Sequence, residues 1–407
     1  MDDGIRLRPG TQEDFPAICD LLGVVFHEEL TGEAKAAEHD VFEPGRALIA
    51  DDAGQVAGQA AAYSRELTVP GAVLPAAHIS LVGVRPTHRR RGLLTALMRR
   101  QLQDIAAAGR EPLAVLWASE TAIYPRFGYG AAASRLRFSI MNREVRLTAP
   151  PPEPAGRLRM DEPAALLSEI SKVYDQVRTG RVGWSDRDDR WWRFVLTDPK
   201  DGRGGATRRY AAVHDGPGGP TGYALWRVKD GWSSHGPDAV VEVTEVVAAD
   251  PETYQALWRL LLGIDLTRTV KFSFGAVDEP LLYLVDEPRR LGATLGDALW
   301  VRLVDVPAAL AGRRYRAPVD VVLEVEDPIL PANTGRWRLT GGPDGAACVR
   351  TGDPADLTAT VTDLGAAYLG GTSLTALAGA GRVRLLTGND PSLAFGWHRA
   401  PSAIEVF

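Results

Sequence analysis

The spacing of apolar residues predicts that helices and strands alternate as far as residue 140. Phe15, Ile18, Leu22 and Phe26 recur at the interval of a helix that buries one face. Short apolar runs bounded by turn residues are typical of buried strands. The predicted elements are a strand at 5–8, a helix at 12–26, strands at 47–50, 56–67 and 79–84, a helix from about 93, and strands at 113–117 and 135–140. We expect a mixed sheet flanked by helices, completed by the strand at 135–140.

A proline-rich run at 150–154 is expected to be a linker, because proline has no amide hydrogen for helix or sheet. The pattern then predicts helices near 163–177 and 185–196, strands at 209–214, 221–228 and 239–247, and a helix after Pro251. The last strand, turn and helix repeat the order found at 78–98, which predicts an internal duplication.

From about Val304 the pattern changes to short strands at 321–325, 336–339, 347–349 and 357–361, followed by helices near 364–368 and 374–378. Such an order is typical of a small α+β domain. Three domains are therefore expected, at 1–149, 150–303 and 304–407.

The stretch from His78 to Met98 predicts a binding site for a pyrophosphate. A buried strand is followed by a basic turn that ends at Gly92, and then by a helix. The first amides of a helix lack intrahelical partners and favour an anion. In the second copy the turn begins at Asp250 and has neither the cations nor the glycine, so that copy is expected to be degenerate and to form only walls of the substrate pocket.

The residues of this stretch resemble the acetyl-CoA signature of the GCN5-related N-acetyltransferases (GNAT). The resemblance lies in Val82-Gly-Val84 and in Arg89-x-x-Gly92. The longer string from Val84 to Leu94 is similar to that of the Eis (enhanced intracellular survival) family. This resemblance implies an α/β (α+β) fold, with tandem GNAT folds and a C-terminal domain like the sterol carrier proteins.

Composition narrows the class of protein. The formal net charge is −6, which argues against nucleic acid as a partner. Two isolated cysteines, a start without an apolar leader and no apolar run of roughly 20 residues predict a cytoplasmic protein without a membrane segment. The histidines have no metal-ligand spacing, so no metal cofactor is expected.

The resemblance implies which residues bind acetyl-CoA. A bulge in the strand would free backbone amides for the pantetheine arm, and the turn would hold the pyrophosphate. The residues implied are Val82, Gly83, Val84, Arg89, Arg90, Arg91, Gly92, Leu93, Leu94, Thr95, Ser119 and Glu120.

Tyr124 is the candidate proton donor. It lies in the string Ile123-Tyr-Pro-Arg-Phe-Gly-Tyr-Gly130, which matches the string that carries the Eis family's catalytic tyrosine. A phenol beside a thioester sulfur can protonate the leaving thiolate. The alternative is that Tyr124 and Tyr129 both pack as loop aromatics, and for Tyr129 that structural role is the better interpretation.

The end of the chain is the candidate proton acceptor. The chain ends at Phe407, and in the Eis family the terminal carboxylate lies in the active site as a general base. The alternative is that the tail simply packs on its own domain. Acidic residues would suit a polyamine substrate, and Glu28 and Glu405 are the candidates for binding it.

The sequence thus predicts an acetyl-CoA-dependent N-acetyltransferase of aminoglycosides, acting at several positions and conferring antibiotic resistance. The resemblance alone implies a homohexamer. Two alternatives stay open: an acetyltransferase of protein lysines or other polyamines, and a non-catalytic protein that binds CoA or a lipid.

Overall fold

The computed structural model describes residues 4–27, 29–150 and 156–407. The contacts divide the chain into two units. Unit 1 comprises the residues through Ala133, Ala298–Pro401 and Val406–Phe407, and unit 2 comprises Ser134–Asp297 and Ser402–Glu405. The domain boundaries expected from the sequence stay predictions.

The strands are β1 (Ile5–Pro9), β2 (Leu48–Asp52), β3 (Gln55–Val69), β4 (Ala72–Val84), β5 (Leu113–Trp117), β6 (Gly130–Ala131), β7 (Ser134–Met141), β8 (Arg157–Asp161), β9 (Tyr210–Gly216), β10 (Gly219–Lys229), β11 (Trp232–Ser233), β12 (Gly236–Pro237), β13 (Ala239–Ala248), β14 (Thr267–Gly275), β15 (Thr294–Asp297), β16 (Leu299–Leu303), β17 (Val319–Glu326), β18 (Gly335–Gly342), β19 (Gly345–Arg350), β20 (Leu357–Thr360) and β21 (Arg384–Leu385).

The α-helices are α1 (Phe15–Phe26), α2 (Gly32–Val41), α3 (Leu93–Ala108), α4 (Leu167–Arg178), α5 (Asp189–Leu196), α6 (Pro251–Leu262), α7 (Leu281–Leu284), α8 (Val306–Gly312), α9 (Val361–Ala367), α10 (Leu374–Gly379) and α11 (Ser392–Phe395). Two of the short 3₁₀ turns bear on the site, at Pro86–His88 and Tyr124–Phe127.

The main sheet of unit 1 has the order β1-β2-β3-β4-β5-β16-β6. Strands β4 and β5 pair in parallel from Ala76 opposite Leu113 to His78 opposite Val115. Beyond these pairs β4 continues to Val84 and β5 to Trp117, so the two strands separate toward their carboxyl ends. Side chains and ligands can enter an open sheet at such a separation.

The bulge that the family resemblance implied is present in β4. Gln59 of β3 lies opposite Gly83, whereas Ala61 lies opposite Ser80, so two residues of β4 face one residue of β3. Leu81, within the bulge, has a φ of 52°. An extra residue leaves the ladder locally unpaired and redirects the strand, here just before Val82.

The strand at 135–140 does not complete the first sheet, so that expectation is wrong. It forms β7, which pairs with β14 and β15 in unit 2. The place next to β5 is taken by β16, which comes from much later in the chain. Alternation of apolar residues identifies a strand but carries no information on its partner, which is why the sequence did not reveal this exchange.

Helix α3 packs on the main sheet of unit 1 through an apolar stripe. Leu97, Met98, Leu102 and Ile105 are buried in the core formed with β3, β4 and β5. Gly109, with a φ of 62°, ends the helix, and its amide donates to carbonyl oxygens of the last turn.

The sheet of unit 2 has the order β15-β7-β14-β13-β10-β9-β8. Its helix α6 begins at Pro251, where the Asp250 side chain accepts from the Thr253 amide as a cap. Trp184, Trp191 and Trp192 are buried in unit 2.

The predicted strands after Val304 correspond to β17–β20, which with β21 form a five-stranded sheet in the order β19-β18-β17-β20-β21. The two predicted short helices correspond to α9 and α10. Both belong to unit 1, where α9 lies so close to β6 that a Cβ on Gly130 would be 2.1 Å from the Thr362 carbonyl oxygen.

Candidate active site

The separation of β4 and β5 forms a cleft of about 550 Å³ in unit 1. The cleft brings together three parts of the chain that are distant in sequence: the end of α1, the stretch from the end of β4 to the start of α3, and the loop after β5. Of the residues expected to bind acetyl-CoA, those that line it are Val82, Gly83, Val84, Arg89, Arg90, Gly92, Leu93, Leu94, Thr95, Ser119 and Glu120. Arg91 was also expected to bind acetyl-CoA, but it does not line the cleft.

The turn between β4 and α3 has the backbone needed to present amides to an anion. Arg90 has a φ of 62° and Gly92, the residue that caps α3, a φ of 79°. The first helical hydrogen bond recorded there runs from the Ala96 amide to the Gly92 carbonyl oxygen, 3.0 Å. The amides of Leu93, Leu94 and Thr95 therefore precede the helical ladder and can donate to an external acceptor.

His88 holds this turn in position. Its Nε2 lies 3.0 Å from Asp52 Oδ2, and its Nδ1 lies 2.8 Å from the Thr87 hydroxyl. The Arg85 amide donates to the Ala57 carbonyl oxygen, which ties the start of the turn to β3. His88 lines the cleft and belongs to the basic turn between β4 and α3, but it was not predicted to be a site residue.

Tyr124 begins the short 3₁₀ turn that forms another wall of the cleft, and it is 5% exposed. Burial raises the pKa of the Tyr124 phenol above its ordinary value, while the Ser119 hydroxyl acts against the rise and Glu120 adds to it. A raised pKa keeps the phenol protonated at neutral pH, as a proton donor requires.

Two contacts fix the backbone of this turn. Arg302 of β16 donates from Nε to the Phe127 carbonyl oxygen at 2.9 Å, and its Nη2 contacts both oxygens of Asp327 at 2.8 and 2.7 Å. Both side chains of this ion pair are fully buried. A Cβ on Gly128 would lie 2.6 Å from Arg302 Nε, so only glycine allows the guanidinium to approach. Sequence analysis did not identify Arg302, which lies inside an apolar strand.

Tyr129 packs beside Tyr124, with ring centroids 6.2 Å apart in an edge-to-face arrangement. Its ring is fully buried, and burial raises the pKa of its hydroxyl. Among the described residues this hydroxyl has no hydrogen-bond partner. These features agree with the structural role expected of it.

Phe407 lies against β4 within unit 1. The Ser80 hydroxyl donates to the main-chain oxygen of Phe407 at 2.8 Å, and the phenylalanine ring contacts the His78 ring, with centroids 4.6 Å apart. Burial lowers the pKa of His78 well below its ordinary value, so this imidazole is neutral at physiological pH. Phe407 is therefore held against β4 by a hydrogen bond from Ser80 and by the contact of its ring with His78.

Glu405, one of the two expected acceptor-binding acids, is not among the described residues that line the cleft. Glu28 lies outside the described residues. Glu405, in unit 2, forms an ion pair with Arg187, whose Nε donates to Glu405 Oε2 at 2.6 Å and whose Nη2 donates to Glu245 Oε1 at 2.7 Å. Arg187 also stacks on Tyr174 and Trp192. The observed partner of Glu405 is thus a buried arginine, and its role toward substrate stays a prediction.

The cleft is also lined by residues that were not predicted as site residues: Val25, Phe26, Ile123 and Arg126, besides His88. Phe26 was recognised only as part of a helical stripe, yet it is 47% exposed, an unusual fraction for a residue of such a stripe.

The described residues contain no cluster suited to a metal ion. No helix in the described part of the chain is long and apolar enough to cross a membrane.

Comparisons with known proteins agree with this fold. Family models match as an acetyltransferase (GNAT) domain at residues 6–132, a second acetyltransferase (GNAT) domain at 183–303 and a sterol carrier protein domain at 306–402. The fold is therefore two GNAT domains followed by a domain of the sterol-carrier-protein type.

Among curated proteins, an uncharacterized N-acetyltransferase of Streptomyces avermitilis is 47% identical over 87% of this chain and 88% of its own. N-acetyltransferase Eis of Mycobacterium tuberculosis is 33% identical over 93% of each chain. The crystal structure of Eis1 from Mycobacterium abscessus has a TM-score of 0.85 at 33% identity, covering 99% of this chain and 100% of that one.

The fold and the cleft thus define a GCN5-related N-acetyltransferase. Within that class, the extent of similarity shows that the chain belongs to the Eis family.

Proposed function

We propose that the enzyme transfers the acetyl group of acetyl-CoA to amino groups of aminoglycosides, at more than one position of each molecule. The observation that carries the proposal is the cleft itself, which unites the bulged end of β4, the basic turn before α3 and the buried phenol of Tyr124. The acceptor class is taken from the family, and homohexameric assembly is proposed on the same basis.

The residues of the cleft fit a nucleotide-linked thioester. Arg89 and Arg90 line the cleft beside the capping Gly92, and cations at the start of a helix favour a pyrophosphate. The corresponding turn in unit 2 is unsuited to an anion, because Asp250 occupies the capping position and accepts from the Thr253 amide and hydroxyl. We therefore expect acetyl-CoA to bind at the turn before α3 and not at the corresponding turn of unit 2.

In the proposed mechanism a neutral amine attacks the thioester carbonyl, so that a carbon–nitrogen bond forms and the carbon–sulfur bond breaks. The acetyl donor supplies an activated carbonyl and a thiolate leaving group. Backbone amides at the bulge would stabilise the oxyanion, and Tyr124 would give its proton to the leaving sulfur. The Phe407 carboxylate, held by Ser80, would accept the proton that the amine loses.

A panel of acceptors tests this proposal, with release of the CoA thiol as readout. Aminoglycosides are expected to give rapid turnover, whereas lysine peptides and linear polyamines are expected to give little. Faster turnover with lysine peptides would reassign the acceptor. No thiol release with any amine, together with a lipid retained by the purified protein, would contradict the enzymatic proposal.

A further inference from the structure

A line of hydrogen-bonding side chains leads from Phe407 into the interior of unit 1. Ser80 donates to Phe407, as described above. Ser80 and Tyr63 are diagonal neighbours on one face of the paired strands β3 and β4, and a hydrogen bond from the Ser80 side chain partly opposes the rise that burial causes in the pKa of Tyr63. Tyr63 in turn donates to Glu38 Oε1 at 2.5 Å. The line therefore joins two carboxyl groups through two hydroxyl groups.

The fold explains why these groups meet. Ala61 pairs with Ser80 and Tyr63 pairs with His78 across β3 and β4, so Tyr63 and Ser80 project from the same face of the sheet. Glu38 comes from α2 and is only 7% exposed, and Tyr63 is 1% exposed. A buried carboxyl group costs free energy, and nothing in the proposed mechanism so far uses this one.

The number of protons on the line decides what it can do. Its three links are Glu38 to Tyr63, Tyr63 to Ser80, and Ser80 to Phe407, but the two hydroxyl groups supply only two protons. With both carboxyl groups ionised, the contacts require Tyr63 to donate to Glu38 and Ser80 to donate to Phe407, so the middle link has no proton. One added proton completes all three links.

We propose, on the basis of the function proposed above, that Ser80, Tyr63 and Glu38 are positioning residues that move the proton of the acceptor amine away from the Phe407 carboxylate and store it on Glu38. The amine's N–H bond breaks and an O–H bond forms on the carboxylate. That proton then passes to Ser80 while the proton of Ser80 passes to Tyr63 and that of Tyr63 to Glu38. No oxidant or further reactant is needed, and each hydroxyl ends with one proton.

The surroundings of the line favour storage at Glu38. Burial raises the pKa of the Glu38 carboxyl, and the hydrogen bond from Tyr63 only partly opposes this. Other titratable and charged groups also face the line. Glu43 acts on Tyr63, and Arg65 and Arg46 act on His78, whose pKa is far below neutrality. These groups remain in place in every variant below, so their influence is constant.

The test is the pH dependence of kcat in Glu38→Gln, measured by thiol release at saturating acetyl-CoA and aminoglycoside. Glutamine retains an oxygen to accept from Tyr63 but cannot take up the proton. The low-pH limb of kcat is expected to move to lower pH, because only the terminal carboxylate then titrates. The maximal kcat is expected to fall about tenfold, part of the usual contribution of acid–base catalysis, with KM for acetyl-CoA unchanged.

Ser80→Ala interrupts the line at its other end, and the low-pH limb of kcat is expected to move to lower pH in this variant as well. This second variant keeps the proposal testable if Glu38→Gln folds poorly. Tyr368→Phe is the matched control. Tyr368 is fully buried in unit 1 and donates to the Ala309 carbonyl oxygen at 2.8 Å, so the control removes a similar hydrogen bond remote from the line.

A low-pH limb in Glu38→Gln or Ser80→Ala that coincides with the wild-type limb would overturn the relay. Loss of kcat of the same size in Tyr368→Phe would also overturn it, because the effect would then be structural. Failure of the proposed function is distinguishable, since the wild-type enzyme itself would release no thiol with any amine.

Discussion

Tyr124 and Tyr129 are five residues apart and have the same side chain, but we propose a proton-donor role for Tyr124 and a packing role for Tyr129. Tyr124 lines the cleft beside Ser119 and Glu120, whereas Tyr129 is enclosed in the core of unit 1. Both phenols have a raised pKa because they are buried. A raised pKa therefore does not distinguish a proton donor from a packing aromatic, and access to the cleft does.

Tyr124→Phe is expected to lower kcat about 100-fold or more, in the range typical of general acid catalysis. The KM for acetyl-CoA should stay the same, because the ring remains in the wall. Steady-state thiol release measures both constants. Tyr129→Phe is the matched control and should retain wild-type turnover, since its hydroxyl has no partner among the described residues. Equal losses in the two variants would remove Tyr124 from the mechanism.

The buried pair of Arg302 and Asp327 supports the Tyr124 turn, and its loss should affect stability. Asp327→Asn would leave the guanidinium without its counter-charge, which costs about 3–5 kcal/mol of unfolding free energy. The control is Asp353→Asn, which removes an exposed ion pair in which Asp353 Oδ2 lies 3.3 Å from Arg338 Nη1. Its expected loss of unfolding free energy is about 0–1 kcal/mol. Denaturant unfolding compares the two. Similar losses would contradict the importance of the buried pair.

At the scale of elements, the backbone of the basic turn is the feature to test. Gly92→Ala places a Cβ in open space but at a φ of 79°, a conformation that costs an L-residue about 1–2 kcal/mol. The KM for acetyl-CoA is expected to rise about fivefold to tenfold, because that strain shifts the amides of the turn.

Gly352→Ala is the matched control for this change. Its Cβ would also meet open space, but Gly352 has no positive φ, so no change in KM is expected. Initial rates against acetyl-CoA concentration give both values. An unchanged KM in Gly92→Ala would mean that the turn does not bind the donor.

The elements also show what sequence can and cannot predict. The strand–turn–helix at 78–98 was predictable because its apolar spacing, its cations and its glycine all depend on neighbours in sequence. The exchange of β7 and β16 was not, since strand pairing is long-range. Arg302 was missed for the same reason: its partner Asp327 is near it only in the folded chain.

At the scale of the whole molecule, the end of the chain returns to the first sheet to meet Ser80. The family resemblance predicted a role for Phe407, but apolar periodicity could not have located its contact. Glu405 forms an ion pair with Arg187 in unit 2, and this pairing could not be predicted because the two residues are far apart in sequence.

A short Gly-Ser extension after Phe407 is expected to lower kcat about 100-fold, because the carboxylate becomes an amide that cannot accept a proton. Binding of acetyl-CoA should persist, since the donor residues are unchanged. Thiol release and calorimetric titration with CoA measure these two properties. The same extension at the N-terminus is the control, and full activity of the C-terminally extended enzyme would exclude the carboxylate from the mechanism.

The most direct test of the central claim is mass spectrometry of an aminoglycoside after exhaustive incubation with the enzyme and excess acetyl-CoA. The proposed function predicts a product carrying more than one acetyl group, formed in step with thiol release and lost in Tyr124→Phe. An aminoglycoside recovered without any acetyl group, from a protein that binds CoA normally, would contradict it.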